Sequence, residues 1–130
     1  MRMWRRSQNF SCAESSPAEA RNFCTRSLAE VLDEHDGGGR VIADAEMIVS
    51  ELLTNAVKAK CTSTEVRLST SDHVVRIEVH DDGYGMPEVR HPDITEPTGR
   101  GLLIVSTLST DWGVEPSGVG KSVWAELTLS

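Results

Sequence analysis

The spacing of apolar residues changes period along the chain, and each period predicts an element. Phe23, Leu28, Val31 and Leu32 recur at helical spacing within "SSPAEARNFCTRSLAEVLDEHD". Ser16, Pro17 and Glu19 stand ahead of them as a capping box with proline at the first helical position, and the glycines at 37–39 close the segment. A second helix is predicted from about Val41 to Lys58, where Val41, Ala45, Ile48, Val49, Leu52, Leu53 and Ala56 form one apolar stripe. The period then falls to two. "TEVRLSTS" and "HVVRIEVHDD" read as strands joined by a tight turn at Ser71-Asp72. The proline- and charge-rich "GMPEVRHPDITEPT" reads as a loop, and "GRGLLIVSTLS" as a third helix. "DWGVEP" and "SVWAELTLS" close the chain as a hairpin across "SGVG". These elements predict an α+β two-layer sandwich, helices on one face of a mixed, mostly antiparallel sheet. One domain is expected over residues 1–130, with an N-terminal strand over about 1–12 at its periphery.

Composition narrows the classes. A 130-residue chain buries roughly two thirds of its unfolded surface and needs no staple to fold. The net charge of −7 speaks against a general nucleic-acid surface, although Arg2, Arg5 and Arg6 cluster near the start. Cys12, Cys24 and Cys61 are odd in number, widely spaced and without a C-x-x-C pair, so neither a zinc site nor a disulfide framework is expected. Reduced thiols and a cytoplasmic location follow as expectations. No segment has the apolar run of a signal peptide or of a membrane span.

"GVGKS" at 118–122 looks like the end of a phosphate-binding P-loop, but the glycine required five positions before the Gly-Lys pair is Glu115. The residues after it alternate as a strand, whereas a P-loop runs into a helix. Three other features carry chemistry. Glu51 and Asn55, four residues apart, fall about 40° apart at one edge of the second helix's stripe. A carboxylate there can take a proton and an amide oxygen can ligate a hard cation. Asp81 continues the row Val75, Ile77, Val79 and should face the core side, with Gly83 and Gly85 leaving room for a flat ring. Gly99 and Gly101 lead into the third helix, where free backbone N–H groups suit an anion.

In that order, E-x-x-x-N, D-x-G-x-G and G-x-G, the motifs resemble the ATP site of the GHKL superfamily: gyrase, Hsp90, histidine kinases and the mismatch-repair ATPase. "VSELLTNAV", "TGRGLLIVSTLSTDWGV" and "GKSVWAEL" are similar as whole phrases to the small bacterial anti-sigma-factor serine kinases. The resemblance, over roughly residues 10–130, implies the Bergerat-type nucleotide fold, ATP and Mg²⁺. It implies Glu51 as general base, Asn55 on Mg²⁺ and Asp81 on the adenine amine. Gly83 and Gly85 would seat the base, while Gly99, Arg100, Gly101 and Leu102 would cradle the phosphates. Ser122 would stand beside the adenine-binding aspartate, and Arg21 would lie on a partner-contacting face. The implied partners are a sigma factor, an anti-anti-sigma protein with a STAS domain, and a second copy of the chain. No direct contact with nucleic acid or membrane is implied. Histidine kinases usually lack the glutamate, so Glu51 separates this chain from them. After "TNAV" the family has His followed by Gly or Ala; here the chain reads "KAK" at Lys58, Ala59 and Lys60.

Overall fold

The computed structural model describes residues 3–32, 37–83, 97–118 and 120–129. In chain order the elements are β1 (Trp4–Ser11), α1 (Ser16–Ala29), α2 (Gly38–Lys58), β2 (Ser63–Ser71), β3 (Val74–Asp81), α3 (Pro97–Leu108), β4 (Asp111–Ser117) and β5 (Gly120–Thr128). The strands form one sheet in the order β1-β2-β3-β5-β4. Every pairing is antiparallel, so the expected mixed sheet is antiparallel throughout the described strands.

The helices cover one face of the sheet for the reason the periodicities suggest. All seven stripe residues of α2 are buried, and all but Ala56 join the alternate residues Val66 and Leu68 of β2, Val75, Ile77 and Val79 of β3, and Val123, Ala125 and Leu127 of β5 in one core. Each of the larger side chains contributes about 1.5–3 kcal/mol by leaving water. α1 packs along α2, adding Phe23 and Leu28, and α3 adds Leu102 and Val105.

The opposite face is polar and ordered by its own pairs. Arg76 bonds Glu126 at 3.0 Å and lies 4.3 Å from the centre of the Trp124 ring. Trp124 in turn covers Gly113, where any β-carbon would stand 2.6 Å from the indole nitrogen. His80 Nδ1 and Ser122 Oγ are 3.1 Å apart on this face, beside a shallow cavity of about 130 Å³ that Arg67 and Glu78 complete.

Several local expectations change. Ser16 does not cap α1: its hydroxyl accepts from the Ala13 N–H at 2.8 Å and donates to the Ser11 carbonyl, while Ser15 holds the N-cap position. The capping box is therefore not formed. α1 ends at Ala29, well before the glycines, and Gly38 and Gly39 belong to α2. The β2–β3 turn sits at Asp72 and His73, both at positive φ (48° and 66°), one residue beyond the expected pair. Two left-handed residues match the twist of a two-residue hairpin.

The thiols change most. Cys12 and Cys61 form a disulfide, contrary to the reduced state expected from their spacing. They are 49 residues apart in sequence, but β1 pairs with β2 from Trp4↔Thr70 to Ser11↔Ser63. That register brings the residues just beyond the ladder's end together. Cys24 stays free and buried, and desolvation pushes its thiol up to about 12, with Glu46 adding to the effect. It remains protonated and inert.

Candidate functional site

Asp81 ends β3 on the helix-facing row, where strict alternation after Val75, Ile77 and Val79 places it. Its neighbours across the sheet are Thr64 on β2 and Lys121 on β5. All three are buried, so one polar row crosses three strands at one end of the helix-facing side of the sheet. Thr64 spends its hydroxyl on the His80 carbonyl at 2.8 Å. Asp81 Oδ1 accepts two bonds, from the Gly83 N–H at 2.8 Å and from Lys121 Nζ at 2.9 Å. The side chains of the ion pair are only 4% (Lys121) and 3% (Asp81) exposed.

Glycines fix this corner. A β-carbon on Gly120 would lie 1.7 Å from the Asp81 carbonyl oxygen, so only glycine lets β5 come this close. Gly83 packs on Ala59 at the end of α2, and a β-carbon there would be 3.0 Å from the Ala59 methyl, the Ala59 carbonyl and Asp81 Oδ1. The middle residue of "KAK" thus forms a wall of the site, and Lys58 and Lys60 on either side of it are exposed. Next to it, Asp82 ties the start of β2 to the end of β3. Its Oδ1 accepts from the Thr62 N–H at 2.7 Å and the Ser63 N–H at 3.2 Å, which holds the carboxyl below its ordinary range.

Asn55 and Glu51 lie one turn apart on α2, both half-buried. The two polar atoms of the Asn55 carboxamide, Oδ1 and Nδ2, are buried and have no hydrogen-bond partner among the described residues. Leaving such a group unpaired costs about 1–3 kcal/mol, and an orphan of this kind asks for a ligand. A carboxamide oxygen suits Mg²⁺, which takes few protein ligands and completes its shell with water and phosphate oxygens. The absence of any cluster of three His, Cys, Asp or Glu among the described residues is compatible with such a site. The residues present therefore fit the group.

The remaining expectations divide. Ser122 points to the polar face, to His80, and not to Asp81. A one-residue offset in a strand exchanges the faces, and it is Lys121 that stands beside the aspartate. Leu102 is fully buried in the core, so its side chain serves packing. α3 begins at Pro97, which puts Gly99, Arg100 and Gly101 inside its first two turns rather than ahead of it. Gly85 lies outside the described residues. Arg21 is exposed on α1 and donates to Ser50 on α2 at 3.2 Å.

Residues 41–130 match the family model described as histidine kinase-, DNA gyrase B-, and HSP90-like ATPase. The chain belongs to this family. No individual curated protein matches it. Among solved structures this ATPase-family chain is similar to the crystal structure of the RsbU and RsbW domains of Rv1364c from Mycobacterium tuberculosis, with a TM-score of 0.70 and 20% identity. The match covers 96% of this chain and 32% of that one, so the chain spans about a third of its length. That likeness is one of fold and takes in more of the chain than residues 41–130.

Proposed function

We propose that the protein is an ATP-dependent anti-sigma factor with protein serine kinase activity, phosphorylating a STAS-domain protein and holding a sigma factor. The observation that carries the reading is the Asn55 carboxamide, buried one helical turn from Glu51 and without a hydrogen-bond partner among the described residues. In this reading ATP binds with its base at Asp81 and Gly83 and its phosphates toward Asn55 and the start of α3, at Gly99, Arg100 and Gly101. Asn55 would hold Mg²⁺ together with the phosphates, and the ion when bound would supply positive charge to the transferred group. Glu51 takes the proton of the attacking serine hydroxyl, and Gly85 helps to seat the base. The likeness to a structure containing an RsbW domain supports this branch of the ATPase family, as does Glu51 itself. Arg21, exposed on α1, belongs to the partner surface, and α1 with β1 offers the face for a second copy.

A second reading is a nucleotide-dependent binding module with slow or no phosphotransfer. The close packing of Ala59 on Gly83 and the Lys121 ammonium on Asp81 favour it, since both alter the base end of the site.

Glu51→Gln separates the two. It keeps the side chain's shape and removes the proton acceptor, so ATP–Mg²⁺ affinity should stay within about twofold of the parent. Transfer of labelled phosphate to the STAS partner should fall about 100-fold or more, the usual range for a general base. Equal rates in parent and variant would remove Glu51 from the chemistry. A parent that phosphorylates no STAS protein leaves the binding-module reading.

A further inference from the structure

We infer that Lys121 is a base-reading residue, donating a hydrogen bond from its ammonium to a ring nitrogen of the bound purine beside Asp81. This rests on the proposed nucleotide site and adds to it a contact made by this chain's own lysine.

Lys121 begins the apolar row Val123, Ala125, Leu127 on β5 and faces the helices with them. A lysine so buried is rare unless paired, and this one is paired once. Of its three N–H donors, one meets Asp81 Oδ1 at 2.9 Å, and no other acceptor for it is found among the described residues. The two bonds to Asp81 both fall on Oδ1 and leave Oδ2 without a donor among the described residues. Among the described residues the corner thus leaves one carboxylate oxygen, Oδ2, without a donor and the ammonium with unspent N–H donors. Adenine's edge carries the complement: an amino donor at C6 and an acceptor at N1. With the amine on Asp81, N1 falls to Lys121.

The corner cannot easily rearrange to serve another purpose. Gly120 presses on the Asp81 main chain and Gly83 on Ala59, so the carboxylate is held from both sides. A buried ion pair adds little to stability over an apolar pair of the same size.

The test uses base analogues on the parent protein, so it does not depend on a variant folding. ADP, 1-deaza-ADP (C–H in place of N1) and 7-deaza-ADP are titrated by calorimetry. A hydrogen bond from a charged donor corresponds to about tenfold or more in affinity, so 1-deaza-ADP should bind at least tenfold more weakly than ADP, with 7-deaza-ADP close to ADP. In Lys121→Met, which keeps the stem and removes the donors, ADP and 1-deaza-ADP should converge to within about threefold. Equal binding of ADP and 1-deaza-ADP by the parent would overturn the inference and leave Lys121 as a counter-ion. A parent that binds none of the three would overturn the nucleotide reading as well, so the two failures are distinguishable.

Discussion

Replacing Asp81 by Asn is the obvious probe of the base site, and the structure changes what it should do. The substituted carboxamide would keep a side-chain oxygen for the Gly83 N–H but would leave the Lys121 ammonium, 4% exposed, without its anion. Removing one partner of a buried ion pair costs about 3–5 kcal/mol, because the remaining charge is stranded away from water. A domain of this size has roughly 5–15 kcal/mol in total, so the loss is a large share. At about 3–5 °C per kcal/mol the melting temperature should drop roughly 10–20 °C. Asp81→Asn/Lys121→Met removes both charges and should return to within about 1 kcal/mol of the parent, since apolar replacement of a buried pair is often neutral. Urea unfolding of the parent, both single variants and the double variant closes the cycle. If Asp81→Asn alone unfolds within about 1 kcal/mol of the parent, the pair is not the desolvated contact described here. A fall in ATP affinity in the single variant therefore mixes lost recognition with lost structure, and unfolding measured on the same variants is needed to tell the two apart.

Asn55→Ala should weaken ATP binding mainly when Mg²⁺ is present, because the group removed is assigned to the metal and not to the base; titrations with Mg²⁺ and with EDTA check this, and an equal loss in both would make Asn55 structural. Asp82 gives a pH signature. Its carboxyl is held below the ordinary range by the Thr62 and Ser63 N–H groups, so its contribution is present above the ordinary carboxylate pKa and is lost as pH falls through the lower folded value. Urea midpoints followed from neutrality into acid should therefore fall less steeply in Asp82→Asn than in the parent, and identical slopes would refute the link.

The parts of the fold that a period can encode were legible. The α2 stripe needed only helical spacing, and the inward turn of Asp81 followed from three apolar neighbours at period two. The same alternation runs through Val123, Ala125 and Leu127, and carried two residues back it ends on Lys121. The signal for the lysine was in the strand; similarity of phrase pointed one residue further, to Ser122, and so to the wrong face. Other features depended on distant partners. Ser16 looks like a cap locally, but its hydroxyl is taken by the turn leaving β1. The Cys12–Cys61 bond requires the β1–β2 register, which no spacing rule supplies. Asn55's orphaned carboxamide exists only once α2 is packed, so the sequence could mark the residue but not its unmet bonds.

The disulfide also closes α1 and α2 into a covalent ring. Cys12 precedes α1 and Cys61 follows α2, so both helices and the connection between them lie inside a closed loop. A chain tethered in this way has fewer open conformations to visit, an effect of about 4 kcal/mol for a loop of this length in the chain-entropy account. It also means that a protease cutting between the two helices would nick the molecule without dividing it: β1 and α1 would stay fastened to the element that carries Glu51 and Asn55. A shift in thiol redox state would remove that fastening and leave the same cut separating the molecule into two pieces held only by non-covalent contacts, the β1–β2 ladder among them.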